Sequence, residues 1–202
     1  MYTQEAACVA LCNLAGNADY VNNADNQVKI AAAGGVEAVL TIMTAHKESV
    51  AVQEHACWAL SNLALNADNE VKIASAGGIE AVLAAMTAHK ESACLQDKAC
   101  RALSNLALNA DNKVKIASAG GIEAVLAAMT AHKESVSVQE HACRTLCNLA
   151  ADNDIRVKVV AARGGEAVLE AIALHKESVA VQEQALRFAC VTHKKAPKTR
   201  KI

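Results

Sequence analysis

The sequence predicts a right-handed, all-α solenoid built from repeated three-helix units. Residues 60–92 reappear as residues 103–135 with one change, Glu70 to Lys113, so a unit of 43 residues is copied within the chain. Self-similarity at this period, with helical patterning inside each copy, is typical of stacked helical repeats. Apolar residues make up 53% of the chain but aromatic residues only 2%, and Pro197 is the single proline. This composition favours closely packed helices over a β-sheet.

The first two helices of a unit are predicted from the copy that begins at Asn66. Residues 66–69 form a polar turn that offers an N-cap, and residues 71–76 make a short first helix that ends at Gly77-Gly78. His89 and Lys90 close the second helix as cations, where the helix dipole favours positive charge. The apolar side chains of this helix follow the spacing i, i+3, i+4, i+7: Ile79, Val82, Leu83 and Met86.

The third helix, from the cap at Ser92 to about Ala107, carries two stripes in each copy. In the copy that begins at Ser49 the apolar stripe predicts the core side, with these members: Val52, Ala56, Ala59, Leu60 and Leu63. The second stripe is rotated by about a third of a turn and has Ser61 at its edge; its members are His55, Trp58 and Asn62. Because this stripe mixes polar and charged residues, we expect it to lie outside the core.

Three helices per unit with a double-glycine break resemble the armadillo repeat family more than the two-helix HEAT repeat. Residues 58–64, Trp-Ala-Leu-Ser-Asn-Leu-Ala, are similar to the third-helix signature of the armadillo regions of importin-α and β-catenin. The second half of this signature recurs at residues 11–15, 103–107 and 146–150. The resemblance covers nearly the whole chain and implies an array that binds other proteins.

The repeat phase divides the chain into a solenoid, residues 1–193, and a basic tail, residues 194–202. The solenoid comprises a partial unit and four repeats, at about 1–16, 17–65, 66–108, 109–151 and 152–193. The partial unit is a third helix without its first two helices, so an apolar N-terminal face is left uncovered. Either the chain is a fragment or something packs there. Residues 17–22 are a loop insertion for which we expect no binding role.

If the third helices stack side by side, their second stripes form a groove. One column of this groove is asparagine in four of five units: Asn13, Asn62, Asn105, Asn148 and then Val191. The resemblance implies that this asparagine holds the backbone of an extended peptide. An amide suits that role because it offers both a donor and an acceptor.

Positive charge gathers in the C-terminal half of the expected groove. The column four positions before the asparagines reads Val9, Trp58, Arg101, Arg144 and Arg187. The column seven positions before the asparagines reads Ala6, His55, Lys98, His141 and Gln184. Guanidinium groups fit carboxylates and phosphates, so we expect an acidic or phosphorylated ligand, as in grooves of the β-catenin type. Basic peptides fit less well, since only Trp58 matches the tryptophans with which import receptors face lysines.

Other chemistry is not supported by the sequence. Cys57, Cys100 and Cys143 occupy one repeat position, which predicts packed, reduced thiols, whereas Cys147 and Cys190 are expected at the groove edge as accessible thiols. Histidine recurs once per repeat, at positions 46, 89, 132 and 175, which predicts a structural role at helix ends. We expect no metal site, no cofactor and no catalytic residue.

The predicted function is a non-catalytic scaffold that holds an extended acidic or phosphorylated protein segment in the groove. The net charge of −1 gives no reason to expect nucleic acid as a partner, and no apolar run is long enough to predict a membrane partner. We expect a cytoplasmic location, and a nuclear one stays open. Two alternatives stay open: a nuclear-import-type receptor for basic peptides, and a structural element that self-associates end to end through the uncovered N-terminal face.

Overall fold

The computed structural model describes residues 23–193 and the helical positions Ala6, Val9, Ala10 and Asn13. Residues 23–193 form four successive units of three helices and contain no β-strand, which confirms the predicted all-α fold. The expectations for the rest of the partial unit, the insertion 17–22 and the tail lie outside the described residues. The helices are α1 (Asn23–Ala32), α2 (Gly35–Ala45), α3 (Val50–Leu63), α4 (Ala67–Ser75), α5 (Gly78–Ala88), α6 (Ala93–Leu106), α7 (Ala110–Ser118), α8 (Gly121–Ala131), α9 (Val136–Leu149), α10 (Asn153–Ala161), α11 (Gly164–Leu174) and α12 (Val179–Thr192).

Local capping explains where the helices begin. The hydroxyl of Ser92 accepts from the backbone N–H of Leu95 and caps α6, as predicted. The side chain of Asn66 accepts from the N–H groups of Asp68 and Asn69 at 3.1 and 3.2 Å. Helix α4 therefore begins at Ala67, earlier than the predicted start, because the polar turn forms its capped first turn.

The two glycines between the first and second helices have different tasks. Gly77 has a φ of 86°, in the left-handed region that favours glycine. At Gly78 an added Cβ would lie 2.8 Å from the carbonyl oxygen of Ile73, so close packing excludes a side chain there. The fourth repeat keeps the second task at Gly164 but places Arg163 at the first position, with a φ of 65°.

The core runs through the repeats, with the third helices α3, α6, α9 and α12 packed side by side and the second helices stacked in a parallel row. Leu60, Leu103 and Leu146, at one repeat position, are fully buried. Cys57, Cys100 and Cys143 form a buried column of packed side chains beside them, as predicted. Burial raises the pKa of the Cys100 thiol, and it raises the pKa of Cys143 to about 12.

The recurring histidines end the second helices, which confirms their predicted structural role. Their rings also join neighbouring repeats. The Nε2 atoms of His89, His132 and His175 lie 2.7–2.8 Å from the backbone carbonyl oxygens of the lysines 42 residues earlier in the chain, in the preceding repeat: Lys47, Lys90 and Lys133. Because a carbonyl oxygen can only accept a hydrogen bond, Nε2 is the donor in each of these contacts.

In each described repeat, the third helix has a glutamine whose side chain donates hydrogen bonds to carbonyls at the end of the second helix. This glutamine was not identified from the sequence. Gln96 donates through Nε2 to the carbonyls of Met86 at 2.8 Å and His89 at 3.3 Å. Gln53, Gln139 and Gln182 make the equivalent pairs of bonds in the other repeats. Recurrence of a polar residue at fixed phase next to the core stripe was the signal that could have found it.

Candidate peptide-binding groove on the third helices

The second stripe of each third helix lies along the row formed by α3, α6, α9 and α12. At its N-terminal part, the Nδ1 atom of His55 is bonded to the carbonyl of Ala51 at 2.8 Å, and the imidazole centroid lies 6.5 Å from the Trp58 centroid. The Nζ atom of Lys98, from the next repeat, lies 5.7 Å from the Trp58 ring centroid. The ring face of Trp58 therefore already has a cation close to it.

The asparagine column is placed differently from the sequence prediction. The side chain of Asn105 is fully buried and that of Asn62 is 1% exposed, so they lie between helices and do not line an open surface. Nδ2 of Asn105 donates to the carbonyl of Ser61 at 2.8 Å, and Oδ1 accepts from Nη2 of Arg144. The expectation that Asn62 and Asn105 present free amides to a peptide backbone is therefore wrong.

The physical reason is a carbonyl near the end of α3, α6 and α9 that receives no backbone N–H. Near the end of α3 the N–H of Leu65 donates to Asn62 rather than to Ser61, which leaves the Ser61 carbonyl for a side-chain donor. Asn105 of the next repeat supplies that donor. Asn148, which is partly buried, donates in the same way to Ser104 at 2.8 Å. In the fourth repeat this position is Val191, which has no side-chain amide to donate. Asn13 is exposed.

Three arginine side chains lie along the row of third helices. Arg101 and Arg144 are partly buried, Arg187 is exposed, and within residues 23–193 none of the three forms an ion pair with a carboxylate. Burial lowers the pKa of Arg144, and the neighbouring charges of Arg101 and Arg187 lower it further, whereas the charge of Glu140 opposes this. Arg187 is held by a 3.3 Å bond to Gln184, which is buried. The row thus concentrates like charges that a bound anion would relieve.

A buried carboxylate between α6 and α9 was not found from the sequence. Asp97 is 5% exposed and is paired with Lys98 at 2.8 Å and with Nδ1 of His141 at 2.7 Å. Burial alone would raise the pKa of this carboxyl, but the hydrogen bonds and charges of His141 and Lys98 outweigh it and hold the pKa below its usual value. Two of the predicted groove residues, Lys98 and His141, are therefore already paired with a carboxylate.

The thiols near the groove divide by exposure. Cys147 is 4% exposed, so the prediction that it is accessible is wrong, while Cys190 is exposed as predicted. Cys94 is also exposed, and its Sγ lies 2.9 Å from Oε1 of Glu54. Partial burial, with that hydrogen bond and the charge of Glu54, raises the pKa of Cys94 to about 11, which disfavours the reactive thiolate.

The described residues carry neither a cluster of metal ligands nor a single membrane-spanning helix. No group of three or more histidine, cysteine, aspartate or glutamate side chains there is arranged to hold a metal ion. No single helix in that part of the chain is long and apolar enough to cross a membrane, although three pairs of helices bent by 67° or 71° meet the length and composition test jointly.

Comparisons with known proteins agree with the fold. Two crystal structures of engineered proteins, both from the Northeast Structural Genomics Consortium, are similar to this chain. The first has a TM-score of 0.82 and 27% identity, over 95% of this chain and 73% of the other; the second has 0.80 and 28%, over 96% and 44%. No curated protein matches the chain.

Armadillo-type solenoids present an extended surface suited to binding other proteins. The model of the LRRK2 ARM repeat family matches residues 13–201, which include all four described repeats. Because this match spans nearly the whole chain, the chain belongs to the LRRK2 ARM repeat family.

Proposed function

We propose that this chain is a non-catalytic scaffold whose row of third helices binds an extended, acidic or phosphorylated segment of a partner protein. The observation that carries the proposal is the column Arg101, Arg144 and Arg187, which forms no ion pair within residues 23–193. Guanidinium groups on packed helices present planar, forked sets of N–H donors that match the spacing of carboxylate and phosphate oxygens.

Arg144 is the central contact in this proposal. Asn105 holds one of its nitrogen atoms, Nη2, so the guanidinium is oriented before a ligand arrives. The remaining N–H groups are available to an anion, and little side-chain entropy is lost when they bind it. Because the buried asparagines already bond to protein groups, selection rests on the charges of the ligand and not on amide contacts to its backbone.

The same geometry argues against a basic ligand. A receptor for lysine-rich segments needs open aromatic faces, but Lys98 already lies against Trp58. A second cation at that ring would meet the repulsion of Lys98 and of the nearby guanidinium groups. We therefore expect the affinity for basic peptides to be lower than the affinity for acidic ones.

The experiment is a fluorescence-anisotropy titration with a labelled peptide of alternating aspartate and glycine, and with a version that carries phosphoserine in place of aspartate. The test variant combines Arg101→Glu, Arg144→Glu and Arg187→Glu. Its matched control makes the same charge change at exposed lysines on the loops after the second helices: Lys47→Glu, Lys90→Glu and Lys176→Glu.

We expect the groove variant to bind at least about tenfold more weakly, the control to bind like the parent, and parental binding to weaken as salt is added. Circular dichroism checks that each variant is folded. Equal loss in both variants would mean that only net charge matters and would contradict a defined groove. Tighter binding of an oligolysine peptide, with a change in Trp58 emission, would favour the basic-ligand alternative instead.

A further inference from the structure

A crevice, here called the open crevice, lies between α5 and α8, the second helices of the second and third repeats. Its volume is about 230 Å³, and its walls include Met86, Lys90, Gln96, Ala127 and Ala131. Helices α5 and α8 each pack against a further second helix, α2 and α11 respectively. The open crevice therefore lies inside the array and is not part of an end face.

The equivalent crevice between α8 and α11, here called the closed crevice, has a volume of only about 10 Å³. The eight residues that line it are the counterparts, 43 positions later, of the eight that line the open crevice. Six of the eight pairs are identical. The two that differ have Glu170 in place of Ala127 and Leu174 in place of Ala131. These two larger side chains thus fill the space that two alanines leave free in the open crevice.

The two crevices also differ in charge. In the closed crevice, Nζ of Lys133 lies 2.6 Å from Oε1 of Glu170. In the open crevice the counterpart of Glu170 is Ala127, and Lys90, the counterpart of Lys133, forms no ion pair within residues 23–193. A ligand carboxylate beside Lys90 would therefore make the contact that Glu170 makes with Lys133.

A buried amide in the wall of the open crevice offers a hydrogen-bond acceptor. Gln96 is 2% exposed, and its Nε2 donates to the carbonyls of Met86 and His89. Within residues 23–193 its Oε1 accepts no hydrogen bond. A ligand that fills the crevice removes water from this oxygen, and a buried acceptor without a donor is costly. The ligand should therefore carry a donor, such as a hydroxyl group.

The surface around the open crevice is suited to a small molecule and not to a protein segment. Every exposed residue of α5 and α8 is alanine, threonine or glutamate, and the large apolar side chains of both helices are buried or half-buried. A partner helix, or any other segment that docks by burial, needs large apolar side chains on the surface that it covers. The crevice itself is therefore the feature that an apolar group can enter.

We propose that the open crevice, independently of the groove, binds a small aliphatic hydroxy acid. The carboxylate of the acid pairs with Lys90, and its hydroxyl donates to Oε1 of Gln96. Its branched aliphatic body packs against Met86 and the neighbouring alanines, in the position that Leu174 has in the closed crevice. The ligand thus supplies the two groups, a carboxylate and a leucine-sized apolar body, by which the fourth repeat closes its own crevice.

The probe is 2-hydroxy-4-methylpentanoate, and its uncharged control is 4-methylpentane-1,2-diol, in which an alcohol replaces the carboxylate. Binding is followed by NMR of the full chain labelled with ¹³C in the methionine methyl groups. Met86 lines the open crevice and Met129 lines the closed one, so each crevice has its own signal.

Three double variants are compared with the parent. Ala127→Glu/Ala131→Leu closes the open crevice with the residues of the fourth repeat, and Glu170→Ala/Leu174→Ala opens the closed one. The matched control, Ala84→Glu/Ala88→Leu, makes the closing substitutions one repeat earlier, outside the lining of the open crevice. All six positions are exposed, so folding should be intact, and circular dichroism checks this.

We expect the acid to shift the Met86 signal of the parent and of the control variant, with a dissociation constant on the order of 1 mM. In the closed variant the affinity at Met86 should fall at least about tenfold, and in the opened variant the Met129 signal should shift as well. An equal response of Met86 in the parent and the closed variant would overturn the proposal. So would equal binding of the acid and the diol, or an opened variant whose Met129 signal does not respond.

Discussion

Removal of the Asn105 side chain tests whether the asparagine column holds the repeats together. In the structure this amide is fully buried and has two partners, the Ser61 carbonyl of the preceding repeat at 2.8 Å and Nη2 of Arg144 in the following one. If the column instead held a peptide, Asn105→Ala would weaken binding and leave the free energy of unfolding nearly unchanged. The two roles therefore predict different measurements.

The expected magnitude follows from the groups that lose a partner. An unsatisfied buried carbonyl, here that of Ser61, costs about 1–3 kcal/mol, and the lost bond to Arg144 adds about 1 kcal/mol because that side chain is partly accessible to water. Asn105→Ala should thus lower the free energy of unfolding by about 2–4 kcal/mol. Asn148→Ala, at a partly exposed position with one bond, should cost about 1 kcal/mol. The reverse change, Val191→Asn, should add about 1 kcal/mol if its amide reaches the carbonyl of Cys147.

Urea unfolding followed by far-UV circular dichroism measures these differences. Emission of Trp58, the single tryptophan, reports separately on the repeat that Asn105 joins to its neighbour. Repeat arrays can lose cooperativity, so the two signals should be compared before a two-state free energy is fitted. The reasoning is refuted if Asn105→Ala changes the free energy of unfolding by less than about 0.5 kcal/mol, or if Asn148→Ala costs more than Asn105→Ala.

Four further substitutions test individual residues. Ser104→Ala removes the one fully buried side-chain hydroxyl in residues 23–193 that has no hydrogen-bond partner, so urea unfolding should show a free energy of unfolding higher by about 1 kcal/mol. Ser61→Ala breaks a 2.9 Å bond to the carbonyl of Trp58 and should lower the free energy of unfolding by about 1 kcal/mol. Arg163→Gly relieves a left-handed backbone and should raise the melting temperature by about 2–4 °C in calorimetry, since its exposed ion pair contributes little. Because the pKa of Asp97 is lower in the folded state, this carboxylate contributes stability that is complete above the unfolded pKa of about 3.9 and is lost as the pH falls through the folded pKa. Asp97→Asn should therefore make the free energy of unfolding depend less on pH in the acid range.

Features determined by local sequence could be predicted. The cap at Ser92, the helix break at Gly77 and the closing histidine at His89 each depend on side chains or backbone angles within a few residues. Repetition strengthened these signals, because a residue that recurs at a fixed phase is positioned by the repeat. The error at the start of α4 also had a local cause, since a polar run was taken as a turn although its first residue, Asn66, caps a helix.

The burial of the second stripe could not be predicted from one helix. Periodicity shows which residues share a face, but not how closely the next helix approaches that face. Polar residues are usually exposed, so Asn62 and Asn105 were expected at the surface. Asn105 is buried because the end of α3 has a carbonyl, that of Ser61, which lacks a backbone donor, and the side chain of Asn105 in the next repeat reaches it. The arginines could be located from the sequence, whereas their lack of carboxylate partners required coordinates.

Among the described residues, the inter-repeat hydrogen bonds that side chains donate to backbone carbonyls share one direction. His89 donates back to Lys47, Asn112 to Glu70, and Asn105 to Ser61, each from a later repeat to a carbonyl of the preceding one. Apolar packing is non-directional, and nearly identical repeats would tolerate a slip of one helical turn in their contacts. Each donor reaches a single carbonyl, so such a slip would leave buried polar groups unpaired at every interface. These bonds thus fix the register of neighbouring repeats. A fixed register keeps Arg101, Arg144 and Arg187 at equivalent positions in successive third helices, as the proposed binding of an extended ligand requires.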